Sequence, residues 1–265
     1  MTTPETVQIR IHHSDASPTL IYLPGLHGDW TLVGSFRKTL GERVRFVEIT
    51  YPRTLEWSLD DYARGVEEAL KASGISGGWL LAESFGSQIA WPLLAHGKIN
   101  FEGLILAGGF VRHPMRWGAR LLERVVGEIS LSCIALILFG YARVARLRYR
   151  RSPETLADLN EFIARRTDLD RQAARHRLQL VAQNDARPIA QSTRTPIYAL
   201  TGSVDPIVPW FLVRPWLRRH CPVLREYKVI WRADHNVLST APVASVEQVL
   251  KWMTEQPLSD NGSCH

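Results

Sequence analysis

Short apolar runs alternate with helical patterns along this chain, and that alternation restricts its fold more than any other feature. The runs TLIYLP (19–24), VRFVEI (44–49), GWLLAE (78–83), FEGLILAG (101–108), PIYALTG (196–202) and EYKVIW (226–231) are rich in Val, Ile, Leu and aromatic residues and are bounded by Gly, Pro or charge, as strands are. Helical patterns cover 59–73, 85–96, 209–219 and 241–254. Near-continuous apolar strands separated by helices imply a mostly parallel, twisted sheet with helices on both faces, because a parallel strand is covered on two sides and needs no polar face. VQIRI (7–11) is expected to add an antiparallel edge strand. The predicted class is α/β.

The alternation breaks once. Residues 111–190 hold no good strand and are mostly helical in pattern, most clearly in DLDRQAARHRLQLVAQND (168–185). The expected organisation is a sheet core formed by 1–110 and 191–256, a helical insertion at 111–190 and a polar, flexible tail at 257–265. With 45% hydrophobic residues among 265, the chain has ample material for a buried core. The longest apolar stretch, ISLSCIALILF (129–139), falls well short of the roughly 20 residues that cross a bilayer, so no transmembrane span and no membrane contact are expected.

The formal net charge of +6 raises the question of a polyanionic partner, but the basic residues are spread widely. The one cluster, Arg143, Arg146, Arg148, Arg150 and Arg151, lacks interleaved aromatics beyond Tyr141 and Tyr149 and reads as a solvated face, so nucleic acid is not an expected partner. Cys133, Cys221 and Cys264 are far apart and form no CxxC pair, which argues against a disulfide framework or a structural zinc. The segment MTTPETVQIR has neither the basic start nor the apolar core of a secretory signal, so a cytoplasmic location is expected, with the sequon Asn261-Gly262-Ser263 unglycosylated. No G-x-x-x-x-G-K-[ST] or G-x-G-x-x-G follows a strand, and no H-E-x-x-H or carboxylate–histidine cluster occurs; neither a cofactor nor a metal is expected. The oligomeric state is left open.

The chemistry centres on LLAESFGSQIA (80–90), where an apolar strand stops at Ser84 and a helical pattern restarts at once. A serine hydroxyl is a poor nucleophile unless it is exposed, aligned with a base and placed beside donors that receive an oxyanion. A tight strand-to-helix turn supplies the exposure, and it requires small residues two before and two after the serine; Ala82 and Gly86 hold those places. The bland alternative is that Ser84 merely caps the helix that follows it. An acyl-transfer site also needs a backbone oxyanion donor from an earlier strand end. YLPGLHGDW (22–30) offers a Gly-rich turn in which Leu26 is the expected donor, although an ordinary turn punctuated by Pro24 and Gly25 would look the same.

A base and its orienting acid should follow the serine in chain order, on loops after later strands. TGSVDPIVP places Asp205 after the strand at 196–202, and WRADHNVL places His235 after the strand at 226–231. Singly, an Asp before Pro is a common turn starter and a loop histidine is commonly solvated; together, all three at strand ends in the order Ser84, Asp205, His235 read as a triad. Asp234 adjoins His235, but neighbouring side chains diverge along the backbone. His27 either lines the pocket or is a solvated loop histidine, and Glu83 either tunes the site electrostatically or simply ends the strand.

Through LPGLHG, AESFGSQIA, TGSVDPIVP and ADHNVL the chain resembles the α/β-hydrolase family from about Leu20 to Trp252. The resemblance implies the nucleophile Ser84, the acid Asp205, the base His235 and oxyanion N–H groups from Phe85 and Leu26, with the insertion at 111–190 in the usual place of a helical cap. Many members read His-Gly in the oxyanion turn, where this chain has Pro24-Gly25, and Ala82 replaces the first glycine of G-x-S-x-G. The family spans esterases, lipases, thioesterases, peptidases and lyases, so the fold does not fix the substrate. The expected function is a metal-independent serine hydrolase cleaving a small-molecule ester or thioester through an acyl-enzyme; the alternative is a non-catalytic ligand-binding or interaction protein that retains the fold. The insertion is expected to cover Ser84. Its apolar stretch, with Leu136 and Leu138, either lines an acyl-binding pocket, packs within the cap or joins the arginines as a membrane-surface patch.

Overall fold

The computed structural model describes residues 6–112, 124 and 152–254. The apolar stretch 129–139 with Leu136 and Leu138, the arginines of 143–151, Cys133 and the tail 257–265 lie outside the described residues. Among the described residues, no helix is long and apolar enough to cross a membrane.

Each apolar run forms a strand within a residue or two of its expected bounds: β1 (Gln8–His12), β2 (Thr19–Leu23), β3 (Arg45–Thr50), β4 (Gly77–Glu83), β5 (Asn100–Ala107), β6 (Ile197–Gly202) and β7 (Leu224–Ile230). They make one sheet in the order β1-β3-β2-β4-β5-β6-β7. β1 pairs antiparallel with β3, with Gln8 opposite Thr50 and His12 opposite Phe46, as an edge strand should. All other pairs are parallel. The two edges show it in their burial: β1 and β7 are partly exposed along their length, whereas β2 through β6 are nearly dry.

The period of two divides the strand residues between two layers of core. Ile21, Leu23, Leu80 and Ala82 face one layer, built with α2 (Leu59–Ala72) and α3 (Gly86–His96). Leu20, Tyr22, Trp79 and Leu81 face the other, built with α1 (Gly34–Leu40) and, near the C-terminus, a long helix that buries Val246, Val249 and Trp252. Helix α2 starts where its sequence says it must: Ser58 and Asp61 form a reciprocal capping box, and Tyr62, Ala63, Val66 and Leu70 bury one face.

The described part of the insertion is helical, as its pattern predicts, in α4 (Pro153–Ala164), α5 (Asp168–Gln183) and α6 (Arg187–Ser192). Thr167 and Asp170 give α5 its own capping box. Helix α4 is tied to the sheet core: Asp158 accepts from the Ser35 N–H at 2.8 Å, and the Thr155 hydroxyl donates to the Ser239 carbonyl at 2.8 Å. The end of the insertion merges with the main core, where Val181, Ala182 and Ala190 join the layer of α3. The chain then continues through β6, α7 (Trp210–His220), β7, the short α8 (Val237–Thr240) and α9 (Pro242–Thr254).

Candidate active site

Strand β2 lies between β3 and β4, so the chain moves to one side of β2 first and to the other side afterwards. The loops leaving the carboxyl ends of β2 and β4 therefore diverge and leave a crevice, which is where ligands sit in open parallel sheets. The turn after β2 carries Leu26 and His27; the turn after β4 carries Ser84.

Ser84 has a left-handed φ of 48°, a strained conformation for a side chain other than glycine. Its N–H donates to the Ala107 carbonyl at 2.9 Å, and its carbonyl accepts the Ser87 N–H at 3.0 Å, so strand and helix pin the turn from both sides. Gly86 explains why the pattern needs a small residue there, because a Cβ would lie 2.3 Å from the Leu23 carbonyl oxygen. Gly86→Ala is accordingly expected to destabilise the protein by roughly 1–3 kcal/mol, as overpacked sites do. Chemical denaturation measures it, and an unchanged midpoint would contradict the close approach. The capping alternative for Ser84 does not hold: α3 begins at Gly86, its N-cap is Phe85, and no side chain caps it.

The Ser84 hydroxyl instead meets His235. Oγ lies 2.9 Å from Nε2, and Nδ1 on the far side of the ring lies 2.8 Å from Asp205 Oδ2. The other oxygen of Asp205 accepts the N–H groups of Ile207 and Val208, each at 2.8 Å, which fixes the carboxylate in the loop after β6. The Asp205 side chain is fully buried and that of His235 is 12% exposed. Asp234, adjacent in sequence, accepts from the Asn236 N–H, and it is Asp205 that reaches the ring. Burial opposes the charged imidazolium, but the hydrogen bond and charge of Asp205, aided by Glu83 and Asp234, outweigh it and raise the His235 pKa above its ordinary 6.5.

Around this chain of three, the turn after β2 closes on itself through a 3.0 Å bond from the Gly28 N–H to the Gly25 carbonyl. A Cβ on Gly25 would lie 3.5 Å from Ser84 Cβ, so the turn packs directly against the serine. Among the described residues, the backbone N–H groups of Leu26 and Phe85 donate to no acceptor. Among the described residues, two unpaired backbone donors thus lie in the turn that holds Ser84 and in the turn packed against it.

His27 is not a solvated loop histidine. Its ring packs edge-on against Phe162 of α4, its Nε2 is buried without a partner, and burial, opposed by Asp29 and reinforced by Arg166 and Arg177, pushes its pKa down to about 4. Glu83 is more than a strand end. It is 1% exposed and accepts a hydrogen bond from the Tyr22 hydroxyl on β2. Burial pushes its pKa up to about 7 against the opposing effects of Tyr22 and His235.

Sequence reasoning missed Tyr22, Phe162 and Arg177. Tyr22 reads as one more apolar strand residue, and the other two come from the insertion, with no local spacing to mark them. Arg177 Nη1 donates to the Leu26 carbonyl at 2.9 Å across 151 positions of sequence. Among the described residues, no group of three or more His, Cys, Asp or Glu side chains could hold a metal ion.

No protein-family model matches the chain, and no curated protein matches it by sequence. Solved structures do resemble it. An esterase from Thermogutta terrifontis superposes with a TM-score of 0.73 at 17% identity, covering 93% of this chain and 92% of that one. A hydrolase from Pseudomonas aeruginosa gives 0.76 at 15% identity, with 94% of each chain covered. The enol-lactonase from Burkholderia xenovorans LB400 gives 0.74 at 17% identity, over 94% of this chain and 96% of that one. With the sheet order above, these likenesses show the α/β-hydrolase fold.

Proposed function

We propose that the protein is a serine hydrolase that cleaves a small-molecule ester or thioester through a covalent acyl-enzyme. One observation carries the reading: Ser84, His235 and Asp205 form a continuous hydrogen-bonded chain at the crevice of the sheet, although they come from three separate loops. A binding protein has no need of that alignment. The names of two structural neighbours, an esterase and an enol-lactonase, agree with the same reading.

In the mechanism, Asp205 holds the His235 tautomer that keeps the proton on Nδ1 and the lone pair of Nε2 toward Ser84. His235 removes the hydroxyl proton as Ser84 Oγ attacks the acyl carbon. The carbonyl oxygen becomes an oxyanion that the N–H groups of Leu26 and Phe85 receive. The imidazolium returns its proton to the leaving alcohol or thiol, and the acyl group stays on Ser84. Water, activated by the same His235, then releases the acid and restores the serine. No step needs a cofactor. The helices of the insertion act as a cap in this reading, since α4, α5 and the link between them contribute Phe162, Arg177 and Arg166 to the turn that holds Leu26 and His27. A cytoplasmic location belongs to the same proposal.

A fluorophosphonate probe, followed by a panel of esters, thioesters and lactones of graded acyl length, tests the reading. The expected result is stoichiometric labelling of Ser84 and turnover of at least one class. Well-folded protein in which Ser84 stays unlabelled would restore the non-catalytic alternative.

The pH dependence follows from the base. Only neutral His235 can accept the proton, and its pKa is raised, so kcat/KM should fall as pH drops through a midpoint above 6.5. An acid limb centred below that value, with chemistry rate-limiting, would mean that a different group acts as base.

A further inference from the structure

Arg177 is 2% exposed, and among the described residues no carboxylate pairs with it. A buried charge persists only where hydrogen bonds replace its hydration. Here two backbone carbonyls do so: Nη1 donates to Leu26 at 2.9 Å and Nη2 to Pro52 at 3.0 Å. These carbonyls belong to the segments leaving β2 and β3, which are also joined by a 2.8 Å bond from the Tyr51 N–H to the Gly28 carbonyl.

The guanidinium sits in a socket that the sequence has to keep open. Gly28 has a left-handed φ of 82°, and a Cβ there would lie 2.3 Å from Nη1. On the other side the guanidinium carbon lies 5.7 Å from the Tyr51 ring centre and 5.9 Å from that of Tyr62. Both tyrosines in turn pack edge-on against Phe85, with ring centres 6.1 and 5.9 Å apart. One side chain is therefore linked to both halves of the donor pair, to Leu26 by a hydrogen bond and to Phe85 indirectly, through two shared aromatic neighbours. It is carried by α5, apart from the three loops that hold Ser84, Asp205 and His235.

We propose that Arg177 is a positioning residue for the oxyanion hole: by holding the Leu26–His27 peptide through its carbonyl it restricts rotation about the Leu26 backbone, and so the direction of the Leu26 N–H on the preceding peptide relative to that of Phe85. The inference rests on the hydrolase reading above. A guanidinium suits the task because its planar fork reaches the two carbonyls from two separate nitrogens in a fixed geometry, a span that the one nitrogen of an ammonium does not match. The donors stabilise charge that exists only in the tetrahedral state, so losing their alignment should reduce kcat and leave substrate binding nearly unchanged.

The experiment uses the full chain with Arg177→Met, and with Arg177→Lys as the variant that keeps the buried charge. Folding is checked by circular dichroism and melting, kcat and KM are measured on the best ester of the panel, and an alkylboronic acid serves as the tetrahedral mimic. For Arg177→Met, kcat is expected to fall about 100-fold, the scale of a lost or misaligned oxyanion donor, with KM changed less than about threefold. Boronate affinity should fall in parallel with kcat, and Arg177→Lys should lie between Met and wild type on both readouts. A folded Arg177→Met protein that keeps kcat and boronate affinity within about threefold of wild type would overturn the proposal, as would losses that merely track the folded fraction. If Arg177→Met does not fold, the same two readouts on Arg177→Lys decide. Wild type that neither turns over nor labels overturns the hydrolase reading and this inference with it; active wild type with unaffected variants overturns this inference alone.

Discussion

Ser84→Ala is expected to abolish fluorophosphonate labelling and to reduce kcat by about 10⁶, because members of such a triad act as a unit and nothing else in the chain replaces the nucleophile. The protein should remain folded. The serine side chain makes its hydrogen bond to His235 and fills no core space, so its loss should cost only about 1 kcal/mol, the usual net worth of one such bond. Alanine inherits the left-handed backbone of residue 84 without adding a larger side chain to it. Steady-state kinetics with thermal melting separates the two effects. Turnover within tenfold of wild type would reject Ser84 as nucleophile, and a collapse of the melt would show that the hydroxyl has a structural role that the hydrogen bonds do not reveal.

Asp205→Asn is expected to lower kcat by roughly 10⁴, the scale seen when a triad carboxylate becomes an amide. The geometry says why the amide would be wrong rather than merely weaker. Oδ1 accepts two backbone N–H groups, so an asparagine would keep its carbonyl oxygen there and turn its NH₂ toward His235. Nδ1 would then have to accept, the ring proton would move to Nε2, and the ring would present N–H to a hydroxyl whose proton it must remove. The imidazolium would also lose the partner that raises its pKa, so the acid limb of any residual activity should move to lower pH. A normal rate in this variant would put the acid elsewhere, with Asp234 the nearest alternative in sequence.

The features legible in the sequence were those with a local signature. Strands β2 through β6 are buried on both faces, so each must be a compact apolar run, and all were recognisable. Ser84, Asp205 and His235 could be read because each sits in a loop just after such a run, and chain order supplied the rest. Helices α1 and α8 escaped because seven and four residues are too few for a 3.6-residue period to show. The burial of His27 was hidden for another reason. What covers it is Phe162 from an insertion more than a hundred positions away, and a side chain's solvation is decided by its partner as much as by its own neighbours. Arg177 escaped for the same reason, since an arginine in a polar helical stretch reads as surface until the carbonyls it reaches are known. Ala82 was legible as a small residue, and Gly86 shows why small was required.

The central place of β2 in the sheet bears on how the chain reaches this state. β2 and β3 can pair as soon as the short crossover through α1 exists, but the other flank of β2 must wait for β4, which begins at Gly77. On a ribosome adding roughly 5–20 residues per second, the open flank of β2 is exposed for seconds. The Ser84–His235 bond closes a loop of 151 positions and cannot form until β7 has been made and docked. Secondary structure can therefore assemble progressively along the chain, while Ser84 stays without His235 until β7 and the loop after it have been made, so a nascent fragment ending before them would carry the serine without the imidazole that aligns with it.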